Sequence, residues 1–386
     1  MKAVVCQNKE LRVEDLPEPI PSTGHALIDV LRCGICGSDL HAREHCSRLN
    51  KLVTKAGFSG FMRQEEAVVM GHEFCGEVLE YGKGSRKVFK PGTRVCALPF
   101  LKRGESTDLI GFSERSNGAY AERMLVDELM MVKIPNGLGN DEAALTEPMA
   151  IALHAVNRAE IKAGDVAIII GCGPIGLAVI SNLKAKGVKT IVASDFSPER
   201  RRLAEKCGAD VVIDPATQGP YDNWEAFGLT MKLEQALDMA FNARKKMDSL
   251  PVPWWHIWRL ADKLGMATPK RPIIFECVGV PGMINQIIQG APLFSRVIVV
   301  GVCMEQDHIE PTMAINKEID LRFVAGYTPL EYRDALHKLA NGKLNARPLI
   351  TGSVGLEGVE TAFAALGNPE VHAKILVDPK SQSARP

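Results

Sequence analysis

Residues 165–195 read DVAIIIGCGPIGLAVISNLKAKGVKTIVASD, and no other segment restricts the possible fold so strongly. A β-branched apolar run predicts a buried strand, a glycine turn follows, a helix pattern opens at Pro174 and Ile175, and a second strand pattern ends at Asp195. Gly171, Gly173 and Gly176 stand at the spacing of a dinucleotide-binding turn. The first permits the tight turn, the second lets backbone N–H groups approach a pyrophosphate, and the third lets the helix lie close to the sheet. The positive end of that helix then faces the phosphates. Asp195 is placed to accept both adenosine ribose hydroxyls and to repel a 2′-phosphate, which favours NAD over NADP. Arg200, Arg201 and Arg202 all lie near enough to temper that preference, although a solvated helix face is the plainer reading of the three, and Arg200 is the one carried into the cofactor set. Downstream, RPIIFECVG and SRVIVVG predict further parallel strands, whose ends bring Gly279, Val300, Gly301 and Val302 toward the nicotinamide half.

A chain of 386 residues exceeds what one hydrophobic core usually serves, so two domains are expected. Basic and acidic residues balance at 46 each, which leaves no excess positive charge for nucleic acid or anionic lipid. A small molecule is the expected partner. The first residues lack a signal-like apolar run, and no later run approaches the roughly 20 apolar residues of a membrane span. Ten cysteines scattered through such a chain point to reduced thiols in the cytoplasm.

The single Cys-x-x-Cys pair, Cys33 and Cys36 in CGICGSDLH, admits several readings. A structural zinc would need a second ligand pair, and His72 with Cys75 in GHEFCGEVLEYG lie three apart on a strand pattern, facing opposite sides. A redox pair would sit at the head of a βαβ unit, and this one does not. Cys36 instead precedes a helix start, SDLHARE, with Ser38 as the expected N-cap, and a positive helix end stabilises a thiolate. A catalytic zinc takes three protein ligands and leaves one position open. Cys36, His72 and a carboxylate supply such a set. Of the two candidates, Glu147 lies 24 residues before Gly171, where it can sit at the join between the two domains, and Glu73 suits an outer or exchanging place better. Ordinary core packing is the alternative for each of them.

The segments GHALIDVLRCGICGSDLH, GHEFCGEV, GTRV, GAYAERMLV, TEPMAIALHAV and GCGPIGL follow one another in an order that resembles the zinc-containing medium-chain dehydrogenases. The branch of the sorbitol and threonine dehydrogenases is the most similar, with a glutamate before proline at Glu147. The resemblance implies an α/β protein: a GroES-like β-rich catalytic domain over residues 1–147, a Rossmann NAD-binding domain over 148–326, and a return to the catalytic domain over 327–386. It implies reversible hydride transfer between an alcohol and NAD at one catalytic zinc, with an alcohol, aldehyde or ketone as substrate, in a homo-oligomer, dimer or tetramer. Cys36 and His72 resemble the first two zinc ligands. Glu147 resembles the third, or the partner of a bound water, with Glu73 as a neighbouring or exchanging carboxylate. Ser38 resembles the hydroxyl beside the substrate oxygen and His41 the outer member of a proton relay. Cys33 is then a packed thiol.

The chain also departs from that pattern. Many relatives hold a second zinc in a lobe with four cysteines, whereas residues 96–121 contain Cys96 alone, so no structural zinc is expected. Residues 42–70 read as a long loop carrying Phe58, Phe61 and Met62, either at the substrate mouth or packed on the surface. Residues 215–271 read as an insertion that holds all four tryptophans, with helices expected at MKLEQALDMAFNARKKM and WWHIWRLADKLG. Two rival functions remain open to the sequence: a zinc-free reductase of double bonds, which needs no metal donors, and a non-catalytic NAD-binding protein, which needs neither Ser38 nor His41.

Overall fold

Five-residue apolar runs buried along their whole length leave no side of a strand for solvent, and Val166–Ile170 is such a run. In the computed structural model, which describes every residue except Asn136, Thr268 and Pro369, this strand lies inside a six-stranded sheet. The order is Val211–Ile213, Thr190–Ser194, Val166–Ile170, Ile273–Glu276, Arg296–Val299 and Asp320–Phe323, every pairing parallel. Strand order reverses between Val166–Ile170 and Ile273–Glu276, the topological switch at which open α/β sheets bind ligands. The helix Pro174–Lys186 starts from Gly173 and ends at Gly187 in the left-handed region, a C-terminal stop that glycine permits without strain.

The chain divides into two compact units, one formed by Met1–His154 with Gly326–Pro386 and the other by Ala155–Ala325. The first border falls inside the helix Thr146–Arg158, later than the 147/148 position read from the sequence. In the first unit the main sheet runs Met131–Lys133, Arg94–Ala97, Glu73–Tyr81, His25–Gly34, Lys374–Val377 and Ile350–Val354, with Arg123–Asp127 also paired to His25–Gly34. The C-terminal strand is thus interior to a sheet begun near the N-terminus, and Leu376 lies opposite Gly34. Tyr120, Phe74, Ile28 and Met124 are among the large side chains fully buried beside it.

Two sequence expectations change here. The long loop expected over 42–70 is helical for its first part, since Gly37–Lys55 forms one helix with a kink at His45. Ala42 and Cys46 are buried and Leu49 and Val53 partly so, a spacing of three and four residues that lays one helix face on the core. The N-cap of that helix is Cys36 rather than Ser38, and the Asp39 carboxylate accepts the Cys36 backbone N–H at 3.0 Å. This return bond from the third helical residue lets the helix start two residues earlier than a serine cap would set it.

The lobe lacking the cysteine quartet is held by charge. Asp108, fully buried on the hairpin Phe100–Arg103 and Ser106–Leu109, pairs with Arg115 and, at 3.3 Å, with Arg103. Within the insertion, the helices Leu233–Asp248 and Trp254–Lys263 form as the sequence predicts, and neither contains a buried residue. No helix among the described residues is long and apolar enough to cross a membrane.

Candidate catalytic and nucleotide sites

In the first unit the end of strand His25–Gly34, the start of the helix after it and the start of strand Glu73–Tyr81 bring three donors together. Cys36, His72 and Glu73 each place a ligand atom within 4.8 Å of the others, and no other such group of three occurs among the described residues. A thiol, an imidazole and a carboxylate at this separation suit one zinc ion, so the donor set fits the metal that the sequence implies.

Asp39 organises the set, and sequence reasoning passed over it. Its carboxylate is fully buried and bonds to His72 Nδ1 at 3.1 Å, to the Tyr120 hydroxyl at 2.7 Å and to the Cys36 N–H. Burial opposes ionisation of Asp39, yet His72, Tyr120 and the Cys36 amide outweigh it and hold its carboxyl below the ordinary range. Burial likewise lowers the His72 imidazole, and the Asp39 carboxylate outweighs that too, leaving it well above its usual value. A carboxylate on one ring nitrogen fixes the ring so that the other faces the donor cluster. Ser38 Oγ lies 3.2 Å from that second nitrogen, which places the hydroxyl beside the point His72 faces. The His72 ring packs at 4.8 Å on Phe112, and Phe112 stacks at 5.4 Å on Phe61. Phe61 is therefore packed behind the Phe112 ring that backs His72, and both Phe61 and Met62 are buried.

Glu73 is also fully buried, and both its oxygens accept from the Lys374 ammonium, at 2.8 and 2.7 Å. Burial works against the Lys374 charge, and the Glu73 carboxylate more than restores it, so its pKa stands above the ordinary value. The space over Gly34 is filled by Glu73, whose Oε2 would lie 2.2 Å from a Cβ at that position. Glu147 stands outside the three-donor cluster. Burial pushes its carboxyl up to about 7, and the Tyr327 hydroxyl bonds to it. His41 lies farther along the helix, with its pKa lowered by burial and by His45, whose ring centre is 6.3 Å away. Cys33 is fully buried, as a packed thiol should be. Cys75 bonds to the Asn140 carbonyl at 3.3 Å, away from the donor set.

In the second unit Gly171 has φ +90°, and a Cβ there would lie 2.6 Å from Val278. At Gly176 a Cβ would lie 2.0 Å from the Gly171 carbonyl oxygen, so helix and strand can meet this closely only through glycine. Gly173 differs: the one atom a Cβ would approach is an Arg200 guanidinium nitrogen at 4.0 Å, which leaves a space over the turn of the kind a pyrophosphate needs. Pro174 and Ile175 then open the helix. Asp195 accepts from the Cys172 N–H at 2.7 Å and the Ser197 N–H at 2.8 Å, which fixes its carboxylate against the glycine turn. Arg201 is tied to the Asp195 carbonyl and to Asp214, and Arg202 to Glu199. The buried Arg200 Nε has no hydrogen-bond partner among the described residues. Beyond the strand Ile273–Glu276, the buried Glu276 accepts from the N–H groups of Val278 and Gly279, and a Cβ on Gly279 would meet the Val302 backbone at 2.6 Å. The Val300 N–H donates to the Glu276 carbonyl. Gly279, Val300, Gly301 and Val302 thus share one loop crossing at the carboxyl ends of the strands, and Glu276, which the sequence reading missed, pins it.

A parallel six-stranded sheet with a glycine phosphate turn, together with a separate thiol-imidazole-carboxylate cluster, defines a metal-dependent, nucleotide-linked oxidoreductase. Residues 22–136 match the alcohol dehydrogenase GroES-like domain and residues 174–341 the zinc-binding dehydrogenase domain. The chain is 32% identical to the (R,R)-butanediol dehydrogenase of Bacillus subtilis, over 98% of this chain and 100% of that one. It is 26% identical to the sorbitol dehydrogenase of Bos taurus, over 97% and 95%. The crystal structure of 2R,3R-butanediol dehydrogenase from Bacillus subtilis superposes with a TM-score of 0.74 at 30% identity, covering 98% of this chain and 99% of that one. The chain belongs to the zinc-type, alcohol dehydrogenase-like family of medium-chain dehydrogenases, with the GroES-like and Rossmann folds, and its cofactors are zinc and NAD(P).

The buried ion pair makes a direct prediction. Lys374→Met leaves Glu73 charged and unpaired in the core, and should destabilise the metal-free protein by about 3 kcal/mol or more in urea denaturation. The double variant Glu73→Gln, Lys374→Met should recover more than half of the loss. A single variant as stable as the parent would show that the pair does not hold the sheet.

Proposed function

We propose that the first unit, residues 1–154 and 326–386, is the catalytic domain and that the second carries the nucleotide for reversible oxidation of a small alcohol to an aldehyde or ketone. The convergence of Cys36, His72 and Glu73 around the Asp39 hub is the observation that carries this reading. Cys36, His72 and Glu73 would hold one zinc, and Glu147, outside the cluster with its carboxyl near neutral pKa, would hydrogen-bond an oxygen at the open position. When bound, zinc lowers the pKa of an alcohol oxygen and polarises a carbonyl. Asp39 holds the His72 ring in place. Ser38, beside the point that His72 faces, would accept the substrate hydroxyl proton while passing on its own, and His41, one helical turn on, would take up the proton so released and give it to solvent. Burial keeps His41 neutral near neutral pH, the form able to accept.

On the nucleotide side, Asp195 supports NAD over NADP, because a carboxylate held at the adenosine ribose repels a 2′-phosphate. Arg200, with Nε buried and unpartnered beside Gly173, is suited to a cofactor phosphate or to the adenine. The named relatives support vicinal diols and polyols as the first substrates to try. A homo-oligomer, dimer or tetramer, in the cytoplasm completes the proposal.

Elemental analysis tests the metal assignment: about one zinc per chain is expected from a three-ligand open site, and none in the Cys36→Ala, His72→Ala variant. Two tightly held ions per chain, or full retention in the variant, would refute it. For the cofactor, steady-state rates with butane-2,3-diol should give a higher kcat/KM with NAD than with NADP, and Asp195→Ala should narrow the gap. A preference for NADP in the parent would overturn the role given to Asp195. His41→Gln should keep zinc content and thermal stability while slowing oxidation on the order of a hundredfold, with the loss largest near and below neutral pH, where solvent accepts protons poorly. An unchanged pH profile would return His41 to the helix surface.

A further inference from the structure

The helical hairpin inserted in the second unit has no part in either site, and its surface is unusual for a soluble face. Along the helix Leu233–Asp248, Leu233, Leu237 and Phe241 recur at four-residue spacing with 54, 51 and 74% of their surface exposed. Leu260, Leu264 and Met266 add 60, 64 and 76% from the second helix and the turn after it. The facing side chains of the hairpin, by contrast, are in contact. Trp254 meets Trp255 and Trp258 edge to face at 6.0 and 6.3 Å, and the Arg244 guanidinium lies 4.8 Å over the Trp254 ring while pairing with Asp248. Between the helices lies a cavity of about 260 Å³ whose walls include Ala236, Ala240, Ala243, Trp258 and Met266. A hairpin braced by these contacts therefore presents an apolar ridge beside an apolar hollow.

Charge on the same helix is divided by sign. Glu234 and Asp238 occupy its first half and Lys245 and Lys246 its second, and none of the four has an ion-pair partner among the described residues. The one helix thus carries both halves of a complementary pair: a ridge with a hollow about a quarter turn from it, and an acidic first half with a basic second half. A surface of that kind is satisfied by its own copy rotated about a twofold axis, which brings each element opposite its complement.

We propose that the hairpin is a self-association module, in which the helices Leu233–Asp248 of two chains pack antiparallel, Phe241 of each chain enters the hollow of the other, and the acidic turn of one faces the basic turn of the other. It names a surface for the homo-oligomer proposed above and does not depend on the catalytic assignment.

Sedimentation of the full-length protein tests it. Phe241→Glu should weaken association about thirtyfold, the scale of a central interface anchor, and leave an assembly of half the mass at micromolar concentration. Because no residue of either helix is buried, the variant should fold and keep alcohol oxidation. Two charge variants extend the test. Glu234→Lys with Asp238→Lys makes both ends of the helix basic apart from the paired Asp248, and Lys245→Glu with Lys246→Glu makes both ends acidic apart from the paired Arg244. Each alone should dissociate, and an equimolar mixture should associate again. A photo-crosslinking residue in place of Phe241 should capture residues 233–266 of a second chain. The proposal falls if Phe241→Glu sediments as the parent does, if the mixed charge variants stay apart, or if the crosslink lands within the same chain's catalytic unit. Each of those results leaves the activity, and with it the dehydrogenase reading, to be judged separately by the NAD assay.

Discussion

The contact between Glu73 and Lys374 ties together parts of the first unit that are 301 positions apart in sequence, and it does so with 0 and 1% of the two side chains exposed. Two charges at that depth are tolerable only as a pair, because either alone would keep its desolvation cost without the compensating attraction. Lys374 sits on a strand that lies beside His25–Gly34, and Glu73 on the strand at its other side. The pair therefore spans three adjacent strands, and the Lys374 ammonium also donates to the Ile35 carbonyl at 3.0 Å, one residue before Cys36. Donor geometry at the metal cluster and closure of the sheet by the last part of the chain are in this way one structural event.

Much of this was legible in the sequence, for reasons that differ by element. The nucleotide unit declares itself because each requirement is local: a β-branched run, a turn that only glycine can make, a helix start and an acid at the end of the next strand. Cys36 and His72 are legible as donor types near strand and helix ends, but the sequence favours Glu147 as the third donor, and it is Glu73, beside His72 at the start of its strand, that joins them. Asp39 was missed because Ser38 reads as the cap beside it, whereas the bond that starts the helix comes from the Asp39 carboxylate, the same group that orients His72. Lys374 and Tyr120 could not be found, since nothing in a single sequence marks which distant residue will lie across a sheet from Glu73 or above Asp39. The helical part of residues 42–55 was available in the spacing of Ala42, Cys46, Leu49 and Val53, but glycines and charged residues nearby gave the stretch the look of a loop.

The arginines after Asp195 show why three like residues in a row cannot be read as one feature. Arg201 and Arg202 are held by neighbouring acids and backbone oxygens, and so are the solvated face that their run suggests. Arg200 alone turns to the glycine turn, because the helix rotates each successive side chain by about a quarter turn or more and places only one of three toward Gly173. A guanidinium whose buried Nε finds no hydrogen-bond partner among the described residues, beside the open space over Gly173, is an arrangement that a group from outside the chain can complete.

The lobe around Asp108 changes the chemical vulnerabilities of the molecule. A lobe built on four thiolates is dismantled by chelators and by oxidants, which act directly on its cross-link. Here the buried carboxylate is clasped by Arg103 and Arg115, and the one sulfur in the segment, Cys96, lies fully buried with its thiol donating to the Ala143 carbonyl. Peroxide and chelation therefore find no cross-link to attack in the lobe, and depriving the protein of metal removes its chemistry while leaving this part of its scaffold standing.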